Sequence, residues 1–247
     1  MDQHQPLSMN AQIFDDLDAL SRAAAQASRE LVLGAVAARG RCAIALAGGH
    51  TPERTYALWA SDFPLPWKQT HFFWGDERYV PPDDPHSNFR MFKEALLNRV
   101  AIPAENVHAM PTGFPKPEDA ASVYEHTLRE FFAAGAPAFD LILLGLGGEG
   151  HTASLFPGSP ALMEKEHWVA AVDAPVEPHL RLTLTLPVLN CARNVFFLVS
   201  GEGKSEVIAS LAKEPDLAAK RYPAARVQPQ GRAVWFLDRA AASGLGR

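Results

Sequence analysis

Cysteine is nearly absent from this 247-residue chain, with only Cys42 and Cys191. They lie far apart, in apolar contexts and in no metal-ligand spacing. A disulfide framework and a cysteine metal centre are therefore excluded, and two buried thiols in a reducing cytoplasm are expected. Basic runs are missing too: the formal net charge is −5, with acids and bases interspersed, which argues against a nucleic-acid partner. No apolar stretch is long enough to cross a bilayer. The start of the chain, with Asp2, lacks the basic-then-apolar pattern of a signal peptide, so no membrane partner is expected. No fixed-period repeat and no flexible linker interrupt the sequence. Residues 1–10 read as a loose tail and 11–247 as one domain.

Several catalytic signatures are also absent. There is no G-x-S-x-G nucleophile elbow and no H-E-x-x-H zinc motif, so no metal is expected. Gly203-Lys204-Ser205 imitates the end of a P-loop, but Leu198 stands where its leading glycine belongs. Gly145, Gly147 and Gly150 match G-x-G-x-x-G, with Asp173 where a ribose-binding acid would fall. That fingerprint needs a long helix after its third glycine, and Pro157, Gly158 and Pro160 leave no room for one. It also comes too late in the chain for a first βα unit. No nucleotide cofactor is expected.

What is present is an alternation of strands and helices. Leu17, Leu20, Ala24, Ala27 and Leu31 form one helical stripe, ended by Gly40. "CAIALAGG" reads as a buried strand, and "TPERTYALWA" as a helix with Thr51 as N-cap and Pro52 at the first position. "THFFWGDERYV" reads as a second strand. Ser87 is expected to cap a helix with Phe89, Phe92 and Leu96 inside. A helix at "EDAASVYEHTLREFF" precedes strands at "FDLILLG", "HWVAAV", "RLTLTL" and "NVFFLVSG". "KSEVIASLAK" is helical, "AVWFLD" a last strand and "RAAASGL" a last short helix. Continuous apolar strands alternating with helices imply an α/β fold: a doubly wound, mostly parallel sheet with helices on both faces, a three-layer α/β/α, Rossmann-like arrangement.

In such sheets ligands bind where loops leave the carboxyl ends of strands. Those points carry Gly48-Gly49-His50-Thr51, Asp76-Glu77-Arg78, Gly147 to Thr152, and Gly201 to Lys204. Gly48 and Gly49 permit close backbone approach before a helix start, which suits an anion as well as it suits a plain capped turn. Lys204 opens a helix against its dipole, as a bound anion would favour. Arg181, at the start of a strand, could fork onto a phosphate or simply lie at the surface. His151 follows a glycine-rich strand-end loop, where it could serve as a general base. His4, His86, His108, His126 and His167 read as exposed and inert.

These residues together resemble the 6-phosphogluconolactonases, relatives of the glucosamine-6-phosphate deaminases. "LAGGHTPERTYALW" resembles the family's phosphate loop, and "FFWGDERYVPPDDPHSNFRMF" its Asp-Glu-Arg motif with the following Ser-Asn. "FDLILLGLGGEGHTASLFPG" resembles its most specific signature. "RLTLTLPVLNCARNVFFLVSGEGK" supplies the Arg and Lys, and "WFLDRAAASGL" the C-terminal end. The resemblance implies hydrolysis of 6-phosphoglucono-1,5-lactone to 6-phosphogluconate, in the oxidative branch of the pentose phosphate pathway, with no cofactor. It implies phosphate binding by Gly48, Gly49, Thr51, Arg181 and Lys204, with His50 replacing or vacating a hydroxyl contact. It makes His151 the catalytic base and puts Asp76 and Arg78 at the sugar end. Glu149 stands where Asp is common in the family; either Glu149 or Asp76 would steady the imidazolium. Either Arg78 or loop N–H groups would receive the oxyanion.

The partner expected is a small sugar-phosphate lactone, and the chain a monomer or small homo-oligomer. A deaminase-isomerase acting on glucosamine 6-phosphate is the closest rival, and Arg78 with "TASLFPG" favours the lactonase. A non-catalytic sugar-phosphate-binding module is the other alternative; it would bind without turnover.

Overall fold

The computed structural model describes residues 9–133 and 135–245. Most of the expected N-terminal tail lies outside them. In chain order the strands are β1 (Ala11–Phe14), β2 (Cys42–Leu46), β3 (Thr70–Trp74), β4 (Asp76–Arg78), β5 (Val107–His108), β6 (Leu141–Leu144), β7 (Val169–Asp173), β8 (Leu180–Leu184), β9 (Asn194–Val199) and β10 (Arg232–Asp238). The α-helices are α1 (Leu17–Arg39), α2 (His50–Ser61), α3 (Asn88–Phe92), α4 (Pro117–Phe131), α5 (Leu186–Asn190), α6 (Ser205–Lys213) and α7 (Pro215–Arg221).

Seven strands form one sheet in the order β1-β10-β9-β6-β2-β3-β5, and each pairing in it is parallel. This is the doubly wound three-layer α/β/α architecture expected from the apolar strand runs. Every residue of β2 and β6 is buried, as a strand covered on both faces must be. From β2 the chain winds outward to β3 and β5, then returns to place β6 on the other flank of β2. The reversal leaves a crevice between the loops that follow β2 and β6.

Three local expectations are corrected. "THFFWGDERYV" is not one strand. The chain turns at Gly75, whose N–H donates to Leu46 O at 2.8 Å and whose carbonyl accepts from Leu184 N at 2.8 Å. Beyond it, β4 joins β8 and β7 in a separate antiparallel sheet, so "HWVAAV" and "RLTLTL" lie outside the parallel sheet. Thr51 is not the N-cap of α2. The helix starts two residues earlier, at His50, capped by Gly49 at φ 103 without a side-chain bond; Thr51 is already helical and its hydroxyl pairs with Ser200 Oγ at 3.0 Å. "RAAASGL" forms hydrogen-bonded turns and not a helix. There the Asp238 carboxylate takes the Ala241 N–H, and also the Gly201 N–H across the sheet.

Two readings hold: Gly40 ends α1 at φ 75, and Ser87 Oγ accepts from Arg90 N at 3.1 Å at the start of α3. Two others are corrected. Both thiols are free as expected, but only Cys42 is buried and Cys191 is half-buried. His108 is not an exposed histidine: it stacks on Phe73 with ring centroids 4.2 Å apart. Burial and the neighbouring His71 lower it to about 4.

Two tyrosines finish the strand ends that border the crevice. The Tyr56 hydroxyl donates to Ala47 O at 2.8 Å and accepts from Ala47 N at 3.0 Å, just past β2. The Tyr124 hydroxyl accepts from Trp74 N at 2.8 Å, at the end of β3. Both rings are fully buried or nearly so, and burial pushes both phenols well up, so each stays a protonated donor. A peptide group buried without a partner costs about 1–3 kcal/mol. Tyr56→Phe orphans both polar atoms of Ala47 and is expected to destabilise the chain by about 2 kcal/mol or more in urea unfolding. A loss below ~0.5 kcal/mol would show that the two bonds are replaceable.

Candidate functional site

A cavity of about 240 Å³ occupies the crevice. Ala47, Gly48, Asp76, Arg78, Gly145–Gly147, His151, Arg181 and Lys204 are among its lining residues. Six of the residues singled out from the sequence therefore meet here: Gly48, Asp76, Arg78, His151, Arg181 and Lys204. Gly49 and His50 line a neighbouring hollow of about 360 Å³ that shares Arg78 and Asn88 with the first. The His50 side chain is 97% exposed, 3.6 Å from Glu53, so it points away from the main cavity. Thr51 is buried against Ser200 and lines neither hollow.

The loop after β6 is folded back on itself. Gly147 N donates to His151 O at 2.9 Å, Gly150 N to Gly147 O at 3.0 Å, and Thr152 Oγ1 to Gly145 O at 2.8 Å. Turns and not a helix follow Gly150, so the helix N-terminus that a dinucleotide requires is not there. The closed loop presents His151, with Nδ1 2.9 Å from Glu149 Oε1 and the ring 4.5 Å from that of Phe156. Partial burial would raise the Glu149 carboxyl, but its own backbone N–H, His151 and Lys204 outweigh that and hold it low. An ionised carboxylate only accepts, so Nδ1 carries the proton in this bond and, in the neutral ring, the lone pair is left at Nε2. Between the two alternatives for orienting His151, the hydrogen bond goes to Glu149. Asp76 is engaged elsewhere, with Ser154 Oγ donating to its Oδ2 at 2.7 Å.

Gly147 makes this arrangement possible. A Cβ there would overlap His151 Nδ1 and crowd Glu149 Oε2. Gly48 does the same for Asn88, whose carboxamide fills the space a side chain would take. Ala153, another lining residue, sits in the left-handed region at φ 48. That conformation costs a non-glycine residue roughly 1–2 kcal/mol, the kind of strain that gathers at functional sites.

Part of the lining is cationic. In the antiparallel ladder of β4 and β8, Arg78 lies directly across from Arg181. Like charges so placed repel. Arg181 is only 6% exposed; burial and then the Arg78 guanidinium lower its pKa. Its Nε donates to Pro178 O at 2.7 Å, while Arg78 Nη1 donates to His86 O at 2.6 Å. Arg78 Nε is buried with no hydrogen-bond partner. Among the described residues neither guanidinium has an ion pair within 4.0 Å. Two neighbouring cations held by neutral carbonyls, with Lys204 in the same lining, make an arrangement that can accept a multiply charged anion. Among the described residues, no group of three or more His, Cys, Asp or Glu side chains could hold a metal.

Asn88, Ser154 and Glu77 were missed as site residues. Glu77 is 2% exposed and points away from the cavity, on the face of β4 opposite Asp76 and Arg78. Burial pushes its carboxyl up to about 7, against the pull of the Asn88, Phe89 and Arg78 N–H groups. The Ser-Asn pair downstream of Asp-Glu-Arg was the available signal.

The family model described as glucosamine-6-phosphate isomerases/6-phosphogluconolactonase matches residues 15–235, and the chain belongs to that family. It is 47% identical over 214 residues to the 6-phosphogluconolactonase of Synechocystis sp., covering 85% of this chain and 88% of that protein. It is 42% identical over 247 residues to the 6-phosphogluconolactonase of Mycobacterium tuberculosis, covering 97% and 99%. Among solved structures, that of 6-phosphogluconolactonase from Trypanosoma brucei superposes with a TM-score of 0.83 at 30% identity, covering 97% of this chain and 99% of that one.

If the arginine pair is an anion receptor, inorganic phosphate should raise the melting temperature of the parental protein. Arg181→Met should remove that gain without lowering stability in phosphate-free buffer, because it also removes the repulsion with Arg78. Equal phosphate stabilisation of both proteins, read by differential scanning calorimetry, would place the anion elsewhere.

Proposed function

We propose that this chain hydrolyses 6-phosphoglucono-1,5-lactone to 6-phosphogluconate. The observation that carries the reading is the shared cavity: a carboxylate-oriented imidazole, two arginines and a lysine line one hollow. The named relatives lend the substrate. Hydrolysis of a lactone needs a water deprotonated as it attacks the carbonyl carbon, and a donor for the resulting oxyanion. His151 Nε2 is the base. Glu149, holding Nδ1, fixes the tautomer and steadies the imidazolium, which then returns its proton to the departing ring oxygen.

The phosphate is held by Arg181, Lys204 and the turn at Gly48 and Gly49. The first-turn N–H groups of α2 there have no side-chain cap, so they are available to an anion. Arg78 is placed to receive the oxyanion, and Asp76, fixed by Ser154, lines the sugar end. Binding the remote phosphate thus positions the reacting carbonyl against His151.

The decisive assay is coupled and uses freshly generated lactone, corrected for spontaneous opening. The parental chain is expected to turn it over. His151→Ala should lose at least ~10²-fold in kcat with the fold intact, and Gly147→Ala should lose at least ~10-fold by displacing the imidazole. Lys204→Ala should mainly raise KM. Parental rates in His151→Ala would refute the base assignment. Ammonium release from glucosamine 6-phosphate, or tight binding without turnover, would refute the reaction itself.

A further inference from the structure

Beside the cavity lies a buried carboxylate with no part in the steps above. Glu77 accepts four hydrogen bonds. Oε1 takes Arg78 N at 2.7 Å and Asn88 N at 2.8 Å. Oε2 takes Phe89 N at 2.7 Å and the Ser87 hydroxyl at 3.2 Å. Three of the four donors belong to the turn that opens α3, and the fourth is the backbone of Arg78 itself. One side chain therefore ties β4, which carries Asp76 and Arg78, to a turn ten residues further along the chain.

That turn reaches the cavity through two groups. Asn88 lies over Gly48, and its Nδ2 donates to Asp76 O at 3.0 Å. The His86 carbonyl accepts Arg78 Nη1 at 2.6 Å. The turn follows the Pro81–Pro85 stretch; α3 runs on without a break into a π-helical segment at Lys93–Leu97, so the far end of the turn is held by helix and its start is gathered by Glu77. We infer that Glu77 is a positioning residue for the substrate pocket: by gathering the Ser87, Asn88 and Phe89 donors, it sets Asn88 against Gly48 and holds Arg78 beside Arg181 in the cavity wall. The position needs an acceptor at both oxygens. An amide offers one acceptor and one donor, so a glutamine would face two of the four donors with N–H groups.

This rests on the lactonase reading only in the substrate used to measure KM and kcat and in the oxyanion role of Arg78. The experiment compares parental, Glu77→Gln, Glu77→Asp, Asn88→Ala and the Glu77→Gln/Asn88→Ala double variant. Glu77→Gln should raise KM for the phosphorylated lactone about tenfold and, because the Arg78 it holds is also the oxyanion donor, lower kcat about tenfold as well. Amide exchange should quicken across residues 84–90 with β2 and β6 unaffected. Glu77→Asp, which keeps both acceptor oxygens, should recover part of the KM loss. Asn88→Ala should raise KM similarly, and the double variant no further than the larger single one, since both break one link.

Parental KM in Glu77→Gln, or strictly additive effects in the double variant, would overturn the inference. Should Glu77→Gln fail to fold, Asn88→Ala leaves the backbone bonds to Glu77 in place, and a parental KM there overturns it equally. If the parental chain shows no lactone turnover, the reaction is wrong but this link is still read: exchange at 84–90 and affinity for inorganic phosphate should both change in Glu77→Gln, and their constancy would reject it.

Discussion

Two neighbouring parallel strands whose connections depart in opposite directions cannot be covered by the same loop, and much of this molecule follows from that constraint. Between β2 and β6 the winding reverses, so a hollow is left at their carboxyl ends. The peptide groups bordering it have lost the partners that a continuing sheet would supply. Tyr56 and Tyr124 reach up from the helices to satisfy them. With the rim fixed by buried hydroxyls, the two glycine loops can carry a ligand site without collapsing into it.

The second sheet solves a different problem. A parallel sheet places loops at the crevice but offers no rigid wall beside it. At Gly75 the chain leaves β3 and enters a short antiparallel ladder, and strand alternation then sorts three consecutive residues. Asp76 and Arg78 face the cavity, while Glu77 faces the interior. One tripeptide thus presents an acid and a cation to the cavity, and supplies an anchor for the turn beyond.

Much of this was legible from residues in order. Continuous apolar runs at β2, β6 and β9 declared a parallel sheet, and strand ends rich in glycine and charge pointed to the right mouth of it. Gly48, Asp76, Arg78, His151, Arg181 and Lys204 do converge. The failures share one physical origin: they concern partners distant in sequence. Thr51 looks like a cap until Ser200 is found beside it. "GDERYV" looks like the rest of a strand until Leu46 and Leu184 are seen to hold Gly75. Nothing around Glu77 in the sequence marks it as buried, because three of its four donors lie ten to twelve residues away. In "RAAASGL" the Asp238 carboxylate takes the Ala241 N–H as a helix cap would, but it also holds the Gly201 N–H across the sheet, and only turns follow. Helical periodicity and capping rules see a few residues at a time, and these competitions are decided in three dimensions.

The loop bearing His151 is not shaped by its own segment alone. Ala224 N donates to Gly150 O at 3.0 Å, and Gly150 lies against Tyr222 so closely that a Cβ would strike the ring. The turn leading to Lys204 begins at Gly201, whose amide is held by Asp238 of the final strand. During synthesis on the ribosome, a growing polypeptide could assemble β2, β3 and β6 early, yet both of these clasps would still be missing. The pocket is completed only as the last tenth of the chain emerges, so a prematurely released product would lack a finished site even if its central sheet had already formed.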